Sequence, residues 1–99
     1  MSYQRFVTED RRLAILRILS EDTDYTVNDS ILSTVLTTFG HDVPRDTLRA
    51  DLAWLAEQEL VTVDPIRDGR IYVARLSGRG LDVAQGRAVV PGVKRPRPE

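Results

Sequence analysis

Between Thr8 and Ser20 the apolar residues Leu13, Ala14, Ile15, Leu16, Ile18 and Leu19 wrap more than one side of a helix. A helix apolar over so wide an arc lies at the centre of a core, or buries a second face against a partner. Thr8 suits an N-cap, and Glu9 and Asp10 suit a first turn that favours carboxylates. The pattern therefore predicts a first helix from Thr8 to about Ser20. Tyr25, Thr26 and Val27 form a short strand candidate. Thr26 or Asn28 can then cap a second helix, with Asp29 in its first turn. Its apolar positions, Ile31, Leu32, Val35, Leu36 and Phe39, share one helical face. Gly40 can close it in the left-handed conformation. Pro44 soon follows and suits the first turn of a third helix, with Leu48, Leu52, Leu55 and Ala56 on its inner stripe.

Beyond Leu60 the period changes. VTVDPI and RIYVARL are short and rich in β-branched and aromatic residues. The Asp68-Gly69 pair between them signals a two-residue hairpin turn. Pro65 lacks a backbone donor, which places its strand at a sheet edge. One short helix fits around Leu81 to Ala84, and the prolines and glycine after Gly86 predict an extended or mobile tail. The chain thus divides into a domain over 1–86 and a basic, proline-rich tail over 87–99. The class is mainly α with a small β-hairpin (α+β). The element order is that of a winged helix-turn-helix: a three-helix core, a hairpin wing and an extended C-terminal tail.

Composition adds limits. Ninety-nine residues, 41% hydrophobic and 29% charged, describe one soluble globular domain with a small core. No apolar run approaches the ~18 residues of a membrane helix, and the polar start MSYQRFVTEDRR has no signal-peptide pattern. The expected compartment is the cytoplasm, with no membrane partner. The absence of cysteine excludes disulfides and thiolate metal sites. A lone histidine, His41, and the lack of a glycine-rich phosphate loop or nucleophile elbow argue against an enzyme, a metal site or a cofactor. The net charge of −1 is unevenly spread: residues 1–60 hold 6 Lys+Arg and 11 Asp+Glu, residues 61–99 hold 8 and 4. Such a split hints at a polyanion-facing surface at one end.

Three basic constellations fit duplex DNA. In a helix-turn-helix the N-terminal residues of the third helix reach base edges, and here these include Arg45, Thr47 and Arg49. Arginine pairs bidentately with guanine, and Thr47 can meet a thymine methyl. Asp46 opposes this role, unless it orients an arginine or accepts from cytosine. Arg67 and Arg70 bracket the hairpin tip, suited to a minor groove or to phosphate. Lys94, Arg95 and Arg97 alternate with Pro96 and Pro98 as a basic arm. Each also has a plain reading, as a solvated face, a soluble turn or a solvated terminus. Trp54, the single tryptophan, fits the core or an interface.

TLRADLAWLAEQELV followed by a short hairpin resembles the recognition helix and wing of winged-helix transcriptional regulators, with Leu52, Leu55, Leu60 and Val61 on their leucine framework. RRLAILRILSE, the helix ending in FGHDV, and the closing GLDVAQGRAVVPGVKRP are similar to one group in particular. These are the small winged-helix proteins of Mu-like phages and prophages, sometimes described as regulators of the arsenic-repressor type. The likeness spans nearly the whole chain and implies a winged-helix fold and a regulator's DNA binding. Metal sensing does not carry over, because its cysteines are absent. Glu59 stands where many such regulators have glycine, so the third helix must be closed in another way. The second helix is also longer than in a compact helix-turn-helix.

The leading expectation is a homodimeric, non-enzymatic DNA-binding regulator of phage or prophage origin. The alternative is a winged-helix adaptor for a phage protein partner in assembly or DNA packaging, favoured by the near-neutral charge, the wide apolar first helix, Trp54 and the proline-rich end.

Overall fold

A computed structural model of the chain describes residues 2–97. Among these residues four helices and three strands follow one another: α1 (Tyr3–Glu21), β1 (Thr26–Asn28), α2 (Asp29–Thr38), α3 (Arg45–Glu57), β2 (Val61–Ile66), β3 (Ile71–Leu76) and α4 (Gly78–Ala84). The α+β class and the order of elements are those the patterning predicts.

α1 begins six residues earlier than expected. Ser2, not Thr8, is the N-cap, its hydroxyl accepting the Arg5 N–H at 3.1 Å. No glycine or proline interrupts Tyr3 to Val7, so the helix extends back to an earlier acceptable cap. An Arg5–Glu9 pair at 3.0 Å braces that added turn. Of the two candidate caps, Thr26 and Asn28, Asn28 caps α2, accepting from the Ile31 N–H at 2.9 Å. Pro44 stands at the N-cap of α3, one position before the helix rather than within its first turn.

Two helix ends show how local chemistry is met. After α2, Gly40 takes a φ of 87°, and the His41 N–H reaches back to the Leu36 carbonyl at 2.9 Å. After α3, Glu59 does the same work with a φ of 62°. Its N–H donates to Ala56 at 2.9 Å, and the Leu60 N–H donates to Leu55 at 3.0 Å. The helix is closed by the usual reversal, with a side chain where glycine would be unstrained.

The antiparallel sheet runs β1-β3-β2. Pro65 lies on the edge strand β2, as its missing donor requires. The hairpin tip differs from expectation. Register Ile66↔Ile71 leaves four residues in the loop, and the Gly69 N–H donates to the Ile66 carbonyl at 3.1 Å. Arg67 and Asp68, not Asp68 and Gly69, are the central turn residues, with φ of 53° and 56°. Gly69 follows as a third left-handed residue at 80°. The Asp-Gly signal marks residues that tolerate this conformation, but not the register in which a longer loop uses them.

One core joins the elements. Ile15, Leu16 and Leu19 of α1, Leu32 and Leu36 of α2, and Leu48, Leu52 and Leu55 of α3 are fully buried with Leu60 and Ala74. Ile31 and Phe39 of the predicted apolar face are instead exposed, at 53% and 55%. α4 docks through Gly80, where an added Cβ would stand 2.1 Å from the Leu60 carbonyl oxygen.

The segment after Gly86 is not a loose arm. Val90 and Val93 are buried in the same core, and the Val93 N–H donates to Val90 across a Pro91-Gly92 turn. The Lys94 N–H donates to the Glu9 carbonyl at 3.2 Å. Proline and glycine here shape a turn between two apolar anchors, so this segment adds Val90 and Val93 to the core of the preceding domain. Met1, Pro98 and Glu99, the outer ends of the two expected segments, lie outside the described residues. Among the described residues no helix is long and apolar enough to cross a membrane.

Candidate nucleic-acid interface

The first residue of α2 organises the surface where DNA contact was expected. Asp29 is fully buried. One carboxylate oxygen accepts from Arg49 Nε at 2.8 Å, and the other accepts the Tyr72 N–H at 3.1 Å. Arg45 adds a more distant charge, at 3.8 Å. Burial alone would raise this carboxyl. The hydrogen bonds from Arg49 and Tyr72 and the two arginine charges outweigh burial and hold it below the usual carboxylate range.

Arg49 spends the rest of its guanidinium on the hairpin. Nη1 donates to the Gly69 carbonyl at 3.2 Å and Nη2 to the Arg70 carbonyl at 2.7 Å, while the plane stacks 4.0 Å over the Tyr72 ring. A planar fork with several fixed donors can tie a carboxylate, two carbonyls and an aromatic face at once. This residue, expected at a base edge, fastens α3 to the tip of the β2–β3 hairpin and to the start of α2.

The other predicted DNA-facing residues divide by place. Arg45, Arg67 and Arg70 are exposed, and Thr47 is half-buried. The Arg49 bonds tie α3 to the hairpin tip. Asp42, Asp46 and Asp68 are exposed at the turn before α3, in its first turn and at the tip. Lys94 belongs elsewhere: its Nζ pairs with Asp10 at 3.1 Å and lies 5.1 Å from the Phe6 ring centre. Arg95 and Arg97 are exposed beside Gln85 and Gly86 at the end of α4.

Two further polar clusters hold α1 in place. Arg11 and Asp51 form a buried ion pair. The charge of Asp51, on the flank of α3, is therefore neutralised inside the fold. Arg12 stacks 3.9 Å over Trp54 and donates to the Gly92 carbonyl at 3.0 Å, so the tryptophan packs between α1 and the chain end. His41 is buried, and its Nε2–H donates to Asp10 at 2.7 Å. Burial pulls the Asp10 carboxyl up, but bonds and charge from His41 and Lys94 leave it below its usual value.

Sequence reasoning missed Asp29, Arg11 and Asp51. For the last two a signal exists. Arg11 lies on the same arc of α1 as Ile15 and Ile18, and Asp51 immediately precedes Leu52 on the edge of the leucine stripe. An ion on an apolar arc needs a counter-ion within reach. Asp29 carries no such sign, because an acid after a cap is ordinary on any helix.

Comparison with known proteins gives two relatives. The chain is 55% identical over 92 residues to the uncharacterized protein gp26 of Escherichia phage Mu, covering 93% of each chain. It is 43% identical over 81 residues to an uncharacterized protein of Haemophilus influenzae, covering 82% of this chain and 78% of that one. No family model and no solved structure matches. Identity at this level along almost the full length of both chains means that the protein belongs to the family of the phage Mu protein gp26.

Proposed function

We propose that this protein is a winged-helix DNA-binding regulator of a Mu-like phage or prophage. The N-terminal turn of α3 enters the major groove and the β2–β3 hairpin serves as a wing on the adjacent groove or backbone. One observation carries this reading: Arg49 joins α3 to the carbonyls of Gly69 and Arg70. Helix and wing are thereby held as a single surface, with Arg45, Arg67 and Arg70 exposed on it. Strain at the tip supports it. Arg67 holds a φ of 53°, where glycine or asparagine would be easier. A long basic side chain kept in a costly conformation accords with a use for that side chain.

In this reading Arg49 positions the surface, and Arg45, Thr47, Arg67 and Arg70 contact DNA. Lys94, Arg95 and Arg97 add to affinity only if the duplex reaches the α4 side. Titration of duplex DNA across a salt series tests this. Deleting a side chain that neutralises one phosphate lowers the slope of log affinity against log salt by about 0.9. Replacing Arg45, Arg67 and Arg70 by alanine together is expected to flatten that slope by roughly 2 to 3. An unchanged slope overturns the assignment.

A second reading, an adaptor that binds a phage protein rather than DNA, is favoured by Asp42, Asp46 and Asp68, which lie exposed among those arginines. Absence of duplex binding at low salt would select it.

A further inference from the structure

One side of α1 is turned away from the core. Tyr3, Phe6, Asp10, Ala14, Arg17 and Glu21 run along it at three- and four-residue steps, each exposed or half-buried. Tyr3 is 81% and Phe6 47% exposed, more than scattered surface apolars require when they share one stripe. Beside the stripe, Phe39 closes a groove of about 250 Å³ floored by Leu13 and Ala14, with Arg17 and Glu21 at its rim.

The charges on this stripe have an order. Asp10 and Arg17 lie two turns apart, and the midpoint between them falls between Leu13 and Ala14. A two-fold axis through that midpoint, perpendicular to α1, reverses the helix onto itself. It sets Arg17 of one copy opposite Asp10 of the other, and the reverse. A parallel arrangement would set Asp10 on Asp10 and Arg17 on Arg17. Asp10 is kept ionised by Lys94 and His41, and its side chain is still 35% exposed. At the crossing point stands Ala14, small enough for two helices to approach to about 8 Å. The same operation carries Phe6 of each copy towards the Glu21 end of the other, where Phe39 lines the groove.

We propose that this face of α1, together with Phe39, joins two copies of the chain in an antiparallel helix pair, with Arg17 of each copy against Asp10 of the other. The surface is self-complementary, as an isologous dimer requires. It does not depend on what α3 binds.

Sedimentation of the full chain at micromolar concentration is expected to give twice the 11.2 kDa chain mass. Arg17→Asp places like charges together at two points and is expected to weaken the dimer by at least about tenfold. Phe39→Ser, at an exposed position, is expected to weaken it as well. The chain has no cysteine, so Ala14→Cys alone is a clean probe. Mild oxidation should cross-link it across the axis, whereas Ala53→Cys, exposed on α3, should stay largely monomeric under denaturing electrophoresis. The cysteine probe keeps the test decisive where Arg17→Asp does not fold. A monomer at all concentrations overturns the proposal, and is the result expected of a groove that serves a different protein. A dimer insensitive to both Arg17→Asp and Phe39→Ser, or cross-linking as fast at residue 53 as at residue 14, also overturns it.

Discussion

Asp29 and Arg49, twenty residues apart, hold each other at 2.8 Å, with the carboxylate wholly removed from solvent. The bond joins the start of α2 to the middle of α3, and through the same guanidinium to the hairpin tip. One charge pair thus ties three elements together at the edge of the apolar core they share.

Removing one partner of such a pair strands the other. Asp29→Ala leaves the Arg49 charge uncompensated and the Tyr72 N–H unbonded, and is expected to cost about 3–5 kcal/mol in urea unfolding. Arg49→Lys keeps the charge but cannot reach the carboxylate and both carbonyls together, so it should destabilise as well. A double-mutant cycle should give a coupling of at least ~1 kcal/mol. Additivity would mean that the two residues act separately.

Acid should loosen the same joint. The native carboxyls of Asp29 and Asp10 both titrate below their usual range. Between their native values and the unfolded value near ~3.9, the unfolded chain therefore binds more protons than the native one. Their contribution to stability is fully present above about pH 4–5 and is lost as pH falls through the lowered native values. Denaturation midpoints measured down the acid range should drop for the native chain. Asp29→Asn, less stable at neutral pH, should show a shallower decline. Parallel curves would count against this linkage.

Glu59 is in the left-handed conformation at the end of α3, with no local need for its side chain beyond solvation. A left-handed residue with a Cβ costs about 1–2 kcal/mol, part of which returns as the entropy of a freer unfolded glycine. Glu59→Gly is expected to stabilise the protein by ~1 kcal/mol, with Glu59→Ala giving no gain. Thermal melts of the two variants measure the difference.

Gly92 stands with a φ of 100° against the Trp54 ring, where a Cβ would come within 2.5 Å. Gly92→Ala must push the indole out of its place between Arg12 and the chain end. Because Trp54 is the single tryptophan, its fluorescence should shift to the red with a loss of stability. A native-like spectrum at unchanged stability would show that the chain end can move aside without cost.

How much of this was legible differs between elements. The leucine spacing of α3, the Asn28 cap, the Gly40 closure and the edge position of Pro65 follow from rules that span a few residues. At the candidate interface, Arg45, Arg67 and Arg70 stand exposed as positions on a helix start and a hairpin tip suggest. Arg49 looks the same in sequence and does something else. Its spacing says which edge of the helix it flanks, but not that a buried carboxylate and two hairpin carbonyls lie there.

By itself, then, the sequence determined the kind and order of the elements, because hydrophobic period, capping and turn chemistry act over one or two turns of chain. Tertiary structure alone decided which charges serve the interior. Asp29 meets Arg49, Arg11 meets Asp51 and Asp10 meets His41 across 20, 40 and 31 residues. The fold also turned Val90 and Val93 into core residues. Whether a charged group is solvated or buried with a counter-ion depends on what the fold packs beside it. That neighbour is set by the assembly of helices and sheet, not by the residues adjacent in the chain.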